Sequence, residues 1–234
     1  MNYAHKKLSV IIPCFNESLT LSEVIRQVRE VETGLEVEIV VVDDYSSDGS
    51  REIIRDLHES ELISKVVFQE KNYGKGAALR TGFKIASGSI IIIQDGDLEC
   101  DPREFPKILA PIIEGRADVV YGSRFLHQSP RMVQSFRRTL ANKFLTGLSN
   151  LFTDFSLTDM ETCYKAFKKE VLDQIELKEN RFGFEPEVTA KISKLPIRLA
   201  EVAISYNPRT VEEGKKIGFK DGIRAVWVIF KYAR

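Results

Sequence analysis

The first half of the chain alternates short apolar runs with segments of helical spacing. The runs cover Leu8–Pro13, Val37–Val42, Val66–Phe68, Ile90–Gln94 and Val119–Tyr121. Between the first two, Leu21, Val24, Ile25 and Val28 recur at the i, i+3, i+4, i+7 positions of one helix face. Runs without polar alternation are typical of strands buried on both faces. The pattern therefore predicts an α/β protein, Rossmann-like, with a mostly parallel sheet and helices on both faces.

This alternation stops after about Arg124. Further along, the sequence predicts a loop, a helix, a strand, a helix and a final strand. These elements cover His127–Val133, Ser135–Leu151, Thr162–Phe167, Phe184–Ser193 and Ile197–Ser205. The sequence contains no linker composition, low complexity or internal repeat. We therefore expect one domain over residues 1–234, in which residues 125–234 elaborate the sheet formed by residues 1–124.

The amino-acid composition excludes several classes of protein. The 234 residues are 43% apolar and 29% charged, which is ordinary for a globular protein. Lys plus Arg and Asp plus Glu both number 34, so net charge predicts no affinity for polyanions and no nucleic-acid partner. The three cysteines lack C-x-x-C spacing, which argues against a disulfide framework or a zinc site and favours a reducing compartment. No apolar stretch reaches the ~18–20 residues of a membrane span. We expect a soluble protein that at most lies on a membrane.

The fourth apolar run leads directly into carboxylates, in the segment Ile90-Ile-Ile-Ile-Gln-Asp95-Gly-Asp97-Leu-Glu99. Ligands bind at the carboxyl ends of strands in open α/β sheets. Gly96 permits a sharp turn, so both aspartates can point to one place. Such an oxygen set suits Mg²⁺ or Mn²⁺. The alternative is a polar turn that caps a helix, and Asp101-Pro102 does have the features of a helix start. That alternative leaves Asp95 and Asp97 unexplained.

The three preceding strands also end in polar segments, namely Pro13-Cys-Phe-Asn-Glu17, Asp43-Asp44 and Gly74-Lys75-Gly76. Because parallel strands end at one sheet edge, these segments predict a nucleotide pocket. Acidic side chains there can hold ribose hydroxyls or a base edge, and a glycine loop can approach phosphates. The sequence has neither the third glycine of the dinucleotide fingerprint nor a G-x-x-x-x-G-K-[S/T] phosphate loop.

These motifs together resemble the family 2 glycosyltransferases, which are inverting enzymes with the GT-A fold. The resemblance is carried by Ser9-Val-Ile-Ile-Pro-Cys-Phe-Asn-Glu17, Val41-Val-Asp-Asp-Tyr-Ser-Ser-Asp-Gly49, Asn72-Tyr-Gly-Lys-Gly-Ala77 and Gln94-Asp-Gly-Asp97. Four later segments extend it to the branch that makes polyprenyl-phosphate sugars, including the dolichyl-phosphate mannose and glucose synthases. They are Gly122-Ser-Arg124, Asp159-Met-Glu-Thr-Cys-Tyr-Lys-Ala-Phe167, Phe182-Gly-Phe-Glu-Pro-Glu187 and Tyr206-Asn-Pro-Arg209.

The resemblance implies roles for the first-half motifs. Pro13, Glu17 and Asp44 would line the nucleoside site, with Lys75 in the neighbouring loop. Asp95 and Asp97 would meet the donor diphosphate through Mg²⁺ or Mn²⁺. The branch often has Gln two positions after the second aspartate, where this chain has Glu99, which is still an oxygen ligand. Residues 1–124 would then form the nucleotide-sugar half and residues 125–234 the acceptor half.

The second half supplies cations that could bind phosphate. They are Arg124, Arg131, Arg137, Arg138 and Arg209, and arginine grips phosphate with two parallel hydrogen bonds. Arg137 and Arg138 could equally be solvated helix residues. We assign Asp97, Asp159, Arg131 and Arg209 to catalysis, and Arg124 and Arg137 to donor binding. Asp159 is either a general base for a hydroxyl acceptor or a residue that orients the sugar or an arginine. The simplest interpretation of Glu185 and Glu187 is compensation of a helix dipole.

The C-terminal segment is basic and amphipathic. From Gly214 to Arg234 its charge is +6 − 1 = +5. Ile223, Trp227 and Phe230 share one helical face, and Arg224 and Lys231 share another. This pattern is typical of a helix that lies in a membrane interface, and the alternative is a helix packed on the sheet.

We therefore predict a metal-dependent inverting glycosyltransferase that moves a hexose from a nucleotide sugar, such as GDP-mannose or UDP-glucose, to a polyprenyl phosphate. It would act in the cytoplasm, peripherally on the cytoplasmic face of a membrane. A lipid phosphate is already anionic and needs no general base. The alternatives are a GT-A enzyme with a soluble or glycan hydroxyl acceptor, a nucleotidyltransferase that makes nucleotide sugars, and a nucleotide-sugar sensor without activity.

Overall fold

A computed structural model describes residues 7–126, 132–133, 135–209 and 218–233. The strands are β1 (Lys7–Cys14), β2 (Glu36–Asp43), β3 (Lys65–Phe68), β4 (Ile90–Ile93), β5 (Val119–Ser123), β6 (Lys165–Lys168) and β7 (Leu199–Ala203). The helices are α1 (Leu21–Glu30), α2 (Ser50–Glu59), α3 (Lys75–Ile85), α4 (Phe105–Ile113), α5 (Phe136–Thr153), α6 (Lys169–Leu172), α7 (Phe184–Ile192) and α8 (Phe219–Tyr232). All five strands predicted for the first half are confirmed, with ends that differ by two residues at most.

The seven strands form one sheet in the order β3-β2-β1-β4-β6-β5-β7. All are parallel except β6, which runs antiparallel to both β4 and β5. The prediction of a mostly parallel α/β sheet is therefore confirmed. Because β6 runs the opposite way, its amino end lies at the edge where the parallel strands have their carboxyl ends. The segment that precedes β6 thus reaches the edge where ligands bind in open sheets.

The sheet is buried on both faces. Alternate residues of β1 and β4 belong to two separate apolar clusters, as Ile90 and Ile92 do on one face and Ile91 and Ile93 on the other. Helices α1, α2 and α4 cover the first face, and α3, α5, α7 and α8 cover the second. The uniform apolar runs of the sequence are explained by this burial from two sides.

The second half departs from its prediction at one strand. We predicted a strand over Thr162–Phe167, but β6 begins only at Lys165. The residues before it form a loop. The buried Nζ of Lys165 fixes this loop by donating hydrogen bonds to the carbonyl oxygens of Met160 and Thr162. An ammonium group buried in this way needs such oxygen partners. The loop that supplies them takes the place of the first three residues of the predicted strand.

Helix α8 both packs on the domain and presents an apolar face. Ala225, Val228 and Ile229 are buried against the sheet side, whereas Trp227 and Phe230 remain about half exposed. The structure therefore contains features of both interpretations of the basic segment. In the part of the chain that the structure describes, no helix is long and apolar enough to cross a membrane.

Candidate active site

A cavity of about 880 Å³ opens at the carboxyl edge of the sheet. Ten of the predicted site residues line it: Pro13, Glu17, Asp44, Lys75, Asp95, Asp97, Glu99, Arg124, Arg137 and Arg209. Asp159 lies directly behind Arg124 and is fully buried. Arg131 lies outside the described residues, so its predicted role stays a prediction. The topology thus brings charged side chains from distant parts of the sequence into one cavity.

Asp44 organises the glycine loop that opens α3. Its two carboxylate oxygens accept hydrogen bonds from the backbone N–H groups of Tyr73 (2.8 Å) and Gly74 (2.7 Å). Burial raises the pKa of this carboxyl, although the hydrogen bonds from the two backbone N–H groups oppose the effect. Gly74 has a φ of +90°, and a Cβ there would lie 2.4 Å from the Arg181 side chain. Only glycine fits this position, because the backbone is left-handed and the space is occupied.

Lys75 joins the glycine loop to the first aspartate of the D-x-D motif. Its Nζ lies 2.9 Å from Asp95 and 3.2 Å from Glu185. Burial lowers the pKa of Lys75, but the two carboxylates outweigh burial and hold it well above its usual value. Lys75 is therefore a fixed positive charge beside the D-x-D motif.

Asp97 and Glu17 share one arginine. Arg209 places Nη2 3.1 Å from Asp97, and its Nη1 lies 2.9 Å from Glu17. Burial, together with the nearby charges of Asp95 and Glu99, raises the pKa of Asp97 to about 7. This concentration of carboxylates in a buried cavity favours a bound cation.

The turn after β4 differs from our expectation. We expected Gly96 to supply the sharp turn, but its φ is not positive and a Cβ there would meet Glu17 only at 3.5 Å. Leu98 takes the left-handed conformation instead, with a φ of 59°. The chain therefore turns one residue after the second aspartate, and this turn redirects Glu99.

Glu99 contacts the Tyr206–Arg209 segment. One of its oxygens accepts from the Tyr206 hydroxyl at 2.8 Å, and the other accepts from the backbone N–H of Arg209 at 2.8 Å. Among the described residues, no group of three His, Cys, Asp or Glu side chains is close enough to hold a metal ion. The structure thus does not bring Glu99 together with Asp95 and Asp97 as a three-carboxylate site. It gives Glu99 contacts that position Arg209.

The donor set still suits a divalent cation that a ligand helps to bind. Mg²⁺ is usually held by one or two carboxylates, several waters and the phosphates of a substrate. Asp95 and Asp97 supply such carboxylates. The raised pKa of Asp97 reflects its burial and then the neighbouring negative charge, which a cation would neutralise. The residues present therefore fit Mg²⁺ or Mn²⁺ in the presence of a diphosphate.

Asp159 holds Arg124 from behind. Its oxygens accept from Nε and Nη2 of Arg124, both at 2.7 Å, and from the Arg124 backbone N–H at 3.0 Å. Glu201 in turn accepts from the Asp159 backbone N–H at 3.2 Å. Asp159 is thus committed to an arginine, which is one of the two roles that the sequence left open.

The amino end of α5 contributes Arg137 and Arg138 to the cavity wall, and both are exposed. Helix α8 contributes Ile223 and Val226 to the cavity wall. The cavity is therefore lined by carboxylates at the strand ends, by arginines of the second half of the chain, and by apolar side chains of α8.

Comparison with known proteins identifies the family. The family model described as glycosyl transferase family 2 matches residues 9–176. The chain belongs to glycosyl transferase family 2. A dolichol-phosphate mannosyltransferase from Pyrococcus furiosus is 33% identical over 214 residues, which is 91% of this chain and 60% of that protein. The chain thus spans about three fifths of the length of that relative.

Solved structures of a second protein superpose on nearly the whole chain. Glucosyl-3-phosphoglycerate synthase from Mycobacterium tuberculosis, in complex with Mn²⁺, UDP and phosphoglyceric acid, gives a TM-score of 0.74 at 20% identity and covers 97% of this chain and 78% of that one. The same enzyme with Mg²⁺ and UDP gives a TM-score of 0.70, at 20% identity and with coverage of 97% and 79%. These similarities confirm the GT-A fold predicted from the sequence.

Two acidic residues that line the cavity, in the segments Asp159–Phe167 and Phe182–Glu187, were not predicted as site residues. Glu161 and Glu185 both line the cavity, although we interpreted Glu185 only as dipole compensation and assigned Glu161 no role. Glu185 and Glu187 do lie in the first turn of α7. The only signal in the sequence was the acidic residue within each motif, at Asp159-Met-Glu161 and Phe184-Glu185.

Proposed function

We propose that this chain transfers a hexosyl group from a nucleoside-diphosphate sugar to a polyprenyl phosphate, with a divalent cation, at a membrane surface. The observation that carries the proposal is the cavity itself. Carboxylates at the ends of β1, β2 and β4 line it together with arginines from the second half and an apolar wall at α8. A donor with a diphosphate, an anionic acceptor and a lipid tail each find a matching surface there.

The nucleoside end of the donor belongs beside Glu17 and Asp44. Both follow neighbouring parallel strands, and Pro13 lies beside them in the cavity wall. Acidic side chains at this edge are suited to ribose hydroxyls and base edges. The diphosphate then falls beside Asp95 and Asp97, with Lys75 and Arg209 as the nearest positive charges.

A divalent cation would be held by Asp95 and Asp97. When bound, it would neutralise charge that develops on the departing nucleoside diphosphate. The structures of the glucosyl-3-phosphoglycerate synthase contain Mn²⁺ or Mg²⁺ with UDP, which supports this assignment. Arg209 carries a fixed charge beside the same carboxylates and can stabilise the leaving group through its own hydrogen bonds.

The acceptor side favours a phosphate over a hydroxyl. A hydroxyl acceptor needs a general base, and Asp159 is the candidate that the sequence offers. Both oxygens of Asp159 are engaged by Arg124, whose pKa stays well above its usual value because Asp159 outweighs the effect of burial. An arginine held in this way is ready to bind an anion. Arg124, Arg137 and Arg138 line the cavity where an acceptor phosphate would enter.

An apolar face around the cavity favours a lipid acceptor met at a membrane. Phe136, Leu140, Phe144 and Leu151 form a stripe along α5 and are 57–78% exposed. The stripe continues onto α8, where Ile223, Trp227 and Phe230 are 48–57% exposed. Between the two helices, the ring centroids of Phe152 and Phe230 lie 5.2 Å apart. Arg224 and Lys231 lie over the Trp227 ring, which places cations beside the apolar face.

An acceptor panel tests this function. The protein is incubated with candidate UDP- and GDP-hexoses, Mn²⁺, and one of three acceptors: a short polyprenyl phosphate, the matching polyprenol, or 3-phosphoglycerate. We expect transfer to the polyprenyl phosphate alone. Transfer to the alcohol, or to phosphoglycerate in preference to the lipid phosphate, would contradict the proposed acceptor.

Membrane contact is tested by flotation with vesicles that contain anionic lipid. Phe144→Ser and Trp227→Ser should each reduce binding, and added salt should weaken binding further because cations contribute roughly 1 kcal/mol each near such a surface. Leu62→Ser is the control, since Leu62 is also exposed (41%) but lies in the α2–β3 connection. Equal binding by all three variants would contradict the placement of the membrane face.

A further inference from the structure

Two carboxylates in the cavity wall each have one oxygen without a hydrogen-bond partner in the part of the chain that the structure describes. Glu185 is only 3% exposed, and its Oε1 lies 3.2 Å from Lys75 Nζ. Its Oε2 is buried without a hydrogen-bond partner among the described residues, and so is Oε1 of Glu161. Buried carboxylate oxygens are costly to leave unpaired, so such atoms in a cavity wall indicate the place of a ligand.

The sheet topology places these residues relative to the donor. Asp44 follows β2 and Asp95 follows β4, whereas Glu161 lies in the loop that leads into β6, beyond β4. Glu161 is thus on the side of the D-x-D motif away from the nucleoside end. Glu185 reaches the same motif through Lys75, which contacts Asp95. In a nucleotide sugar the hexose follows the diphosphate, so the hexose is the part of the donor that reaches these carboxylates.

The chemistry of the pair excludes anions and favours hydroxyl groups. The negative charge of the Glu185 carboxylate repels a phosphate, so the diphosphate is not the ligand of this pair. A second cation is disfavoured, since Lys75 already contacts Glu185 and the buried Lys165 ammonium lies nearby. A hydroxyl both donates and accepts hydrogen bonds. Burial and the charge of Glu185 raise the pKa of Glu161 to about 8, so near neutral pH this pair offers both a donor and acceptors.

We propose that Glu161 and Glu185 bind hydroxyl groups of the transferred hexose, and that Lys75 holds Glu185 in position for this contact. The inference rests on the proposed function, because it assumes a nucleotide-sugar donor. It assigns sugar recognition to two residues that are separate from those proposed for the nucleoside, the metal and the diphosphate.

The test compares two ligands that differ only by the sugar. Affinities for the nucleoside diphosphate and for the nucleotide hexose of the same base are measured by calorimetry with Mn²⁺, for the wild-type chain, Glu185→Gln and Glu161→Gln. We expect both variants to bind the nucleoside diphosphate within about twofold of wild type. The nucleotide hexose should bind about 10- to 100-fold more weakly, the range for losing a hydrogen bond to a charged group.

Glu187→Gln is the matched control on the same helix. Glu187 is fully buried and accepts hydrogen bonds from the backbone N–H groups of Lys178 and Glu179 and from Lys191 Nζ. We expect this variant to lower the melting temperature without changing the ratio of the two affinities. That result separates sugar binding from a loss of structure.

The outcomes distinguish the two claims. A wild-type chain that binds neither ligand would overturn the proposed function, and this inference with it. A wild-type chain that binds both, with variants that weaken both ligands equally or neither, would overturn the sugar contact alone. If Glu185→Gln fails to fold, Glu161→Gln decides the question, since none of the described ion pairs involves Glu161.

Discussion

Replacing Asp97 by asparagine is expected to stabilise the metal-free protein above neutral pH and to remove its response to divalent cations. In the metal-free protein, burial and the charges of Asp95 and Glu99 raise the pKa of Asp97 from 3.8 to about 7. Between these two values the unfolded chain carries an ionised Asp97 while the folded chain keeps it protonated. The free energy of unfolding therefore falls as pH rises from about 4 to about 7.

The magnitude follows from the size of the shift. A rise in the pKa of Asp97 from 3.8 to about 7 corresponds to roughly 4 kcal/mol, at ~1.4 kcal/mol for each tenfold change in proton affinity. Asparagine cannot ionise and so avoids this cost, and the raised pKa already includes the opposing attraction of Arg209. The variant should therefore be more stable than wild type by up to about 4 kcal/mol at pH 8, and about equally stable at pH 4, where Asp97 of the folded wild type is protonated.

Urea unfolding in EDTA at pH 4 and pH 8 measures this difference, with Asp173→Asn as the control for an exposed ion pair. Adding Mn²⁺ at pH 8 should stabilise wild type, by about 2.7 kcal/mol at 100 times its dissociation constant, and the variant far less. The variant's turnover should fall at least ~100-fold. A variant that is less stable than wild type by the same margin at both pH values, or an equal gain from Mn²⁺, would refute the reasoning.

Three further substitutions, with one control, test the residues that hold the site in shape. Asp44→Ala should weaken nucleoside diphosphate binding by ~1–3 kcal/mol, because the glycine loop loses its acceptor; unchanged affinity by calorimetry would contradict this. Asp159→Asn should lower kcat/KM about 10- to 100-fold and leave the shape of its pH profile unchanged, because Asp159 orients Arg124; loss of the acidic limb would instead identify a general base. Gly74→Ala should lower the urea concentration at the unfolding midpoint. Gly147→Ala, in open space on α5, should raise the free energy of unfolding by roughly 0.5–1 kcal/mol. Similar midpoints for the two variants would contradict the steric explanation.

Local sequence patterns were enough to predict the fold and to predict which residues line the site. Four consecutive isoleucines at Ile90–Ile93 can be satisfied only by burial on both faces, and parallel strands then bring Glu17, Asp44 and Asp97 to one edge. Each of these residues lies within four positions of a strand end, so the sequence alone predicts that they meet.

The pairings within the site could not be predicted in this way. Glu99 contacts Tyr206 because Leu98, a residue without any turn signal, takes a left-handed conformation. Asp159 meets Arg124 across 35 positions only because β6 runs antiparallel. Such contacts depend on strand direction and backbone angles that no spacing rule contains.

Helix α8 shows the same limit. Its amphipathic pattern predicts a helix with an apolar face, and that face is exposed as expected of an interfacial helix. The pattern gives no sign that Arg224 and Lys231 both bind the buried Glu179, at 2.5 and 2.6 Å. These two cations therefore anchor the helix to the domain, because a buried carboxylate requires partners.

Metal-dependent transfer of a hexose to a polyprenyl phosphate would yield a lipid product that mass spectrometry can identify. The protein is incubated with a nucleotide hexose and a short polyprenyl phosphate, once with Mn²⁺ and once with excess EDTA, and the lipid fraction is analysed. We predict a hexosyl polyprenyl phosphate that forms with Mn²⁺ and is absent with EDTA. Equal product in EDTA, or nucleoside diphosphate released with no glycolipid formed, would contradict the account.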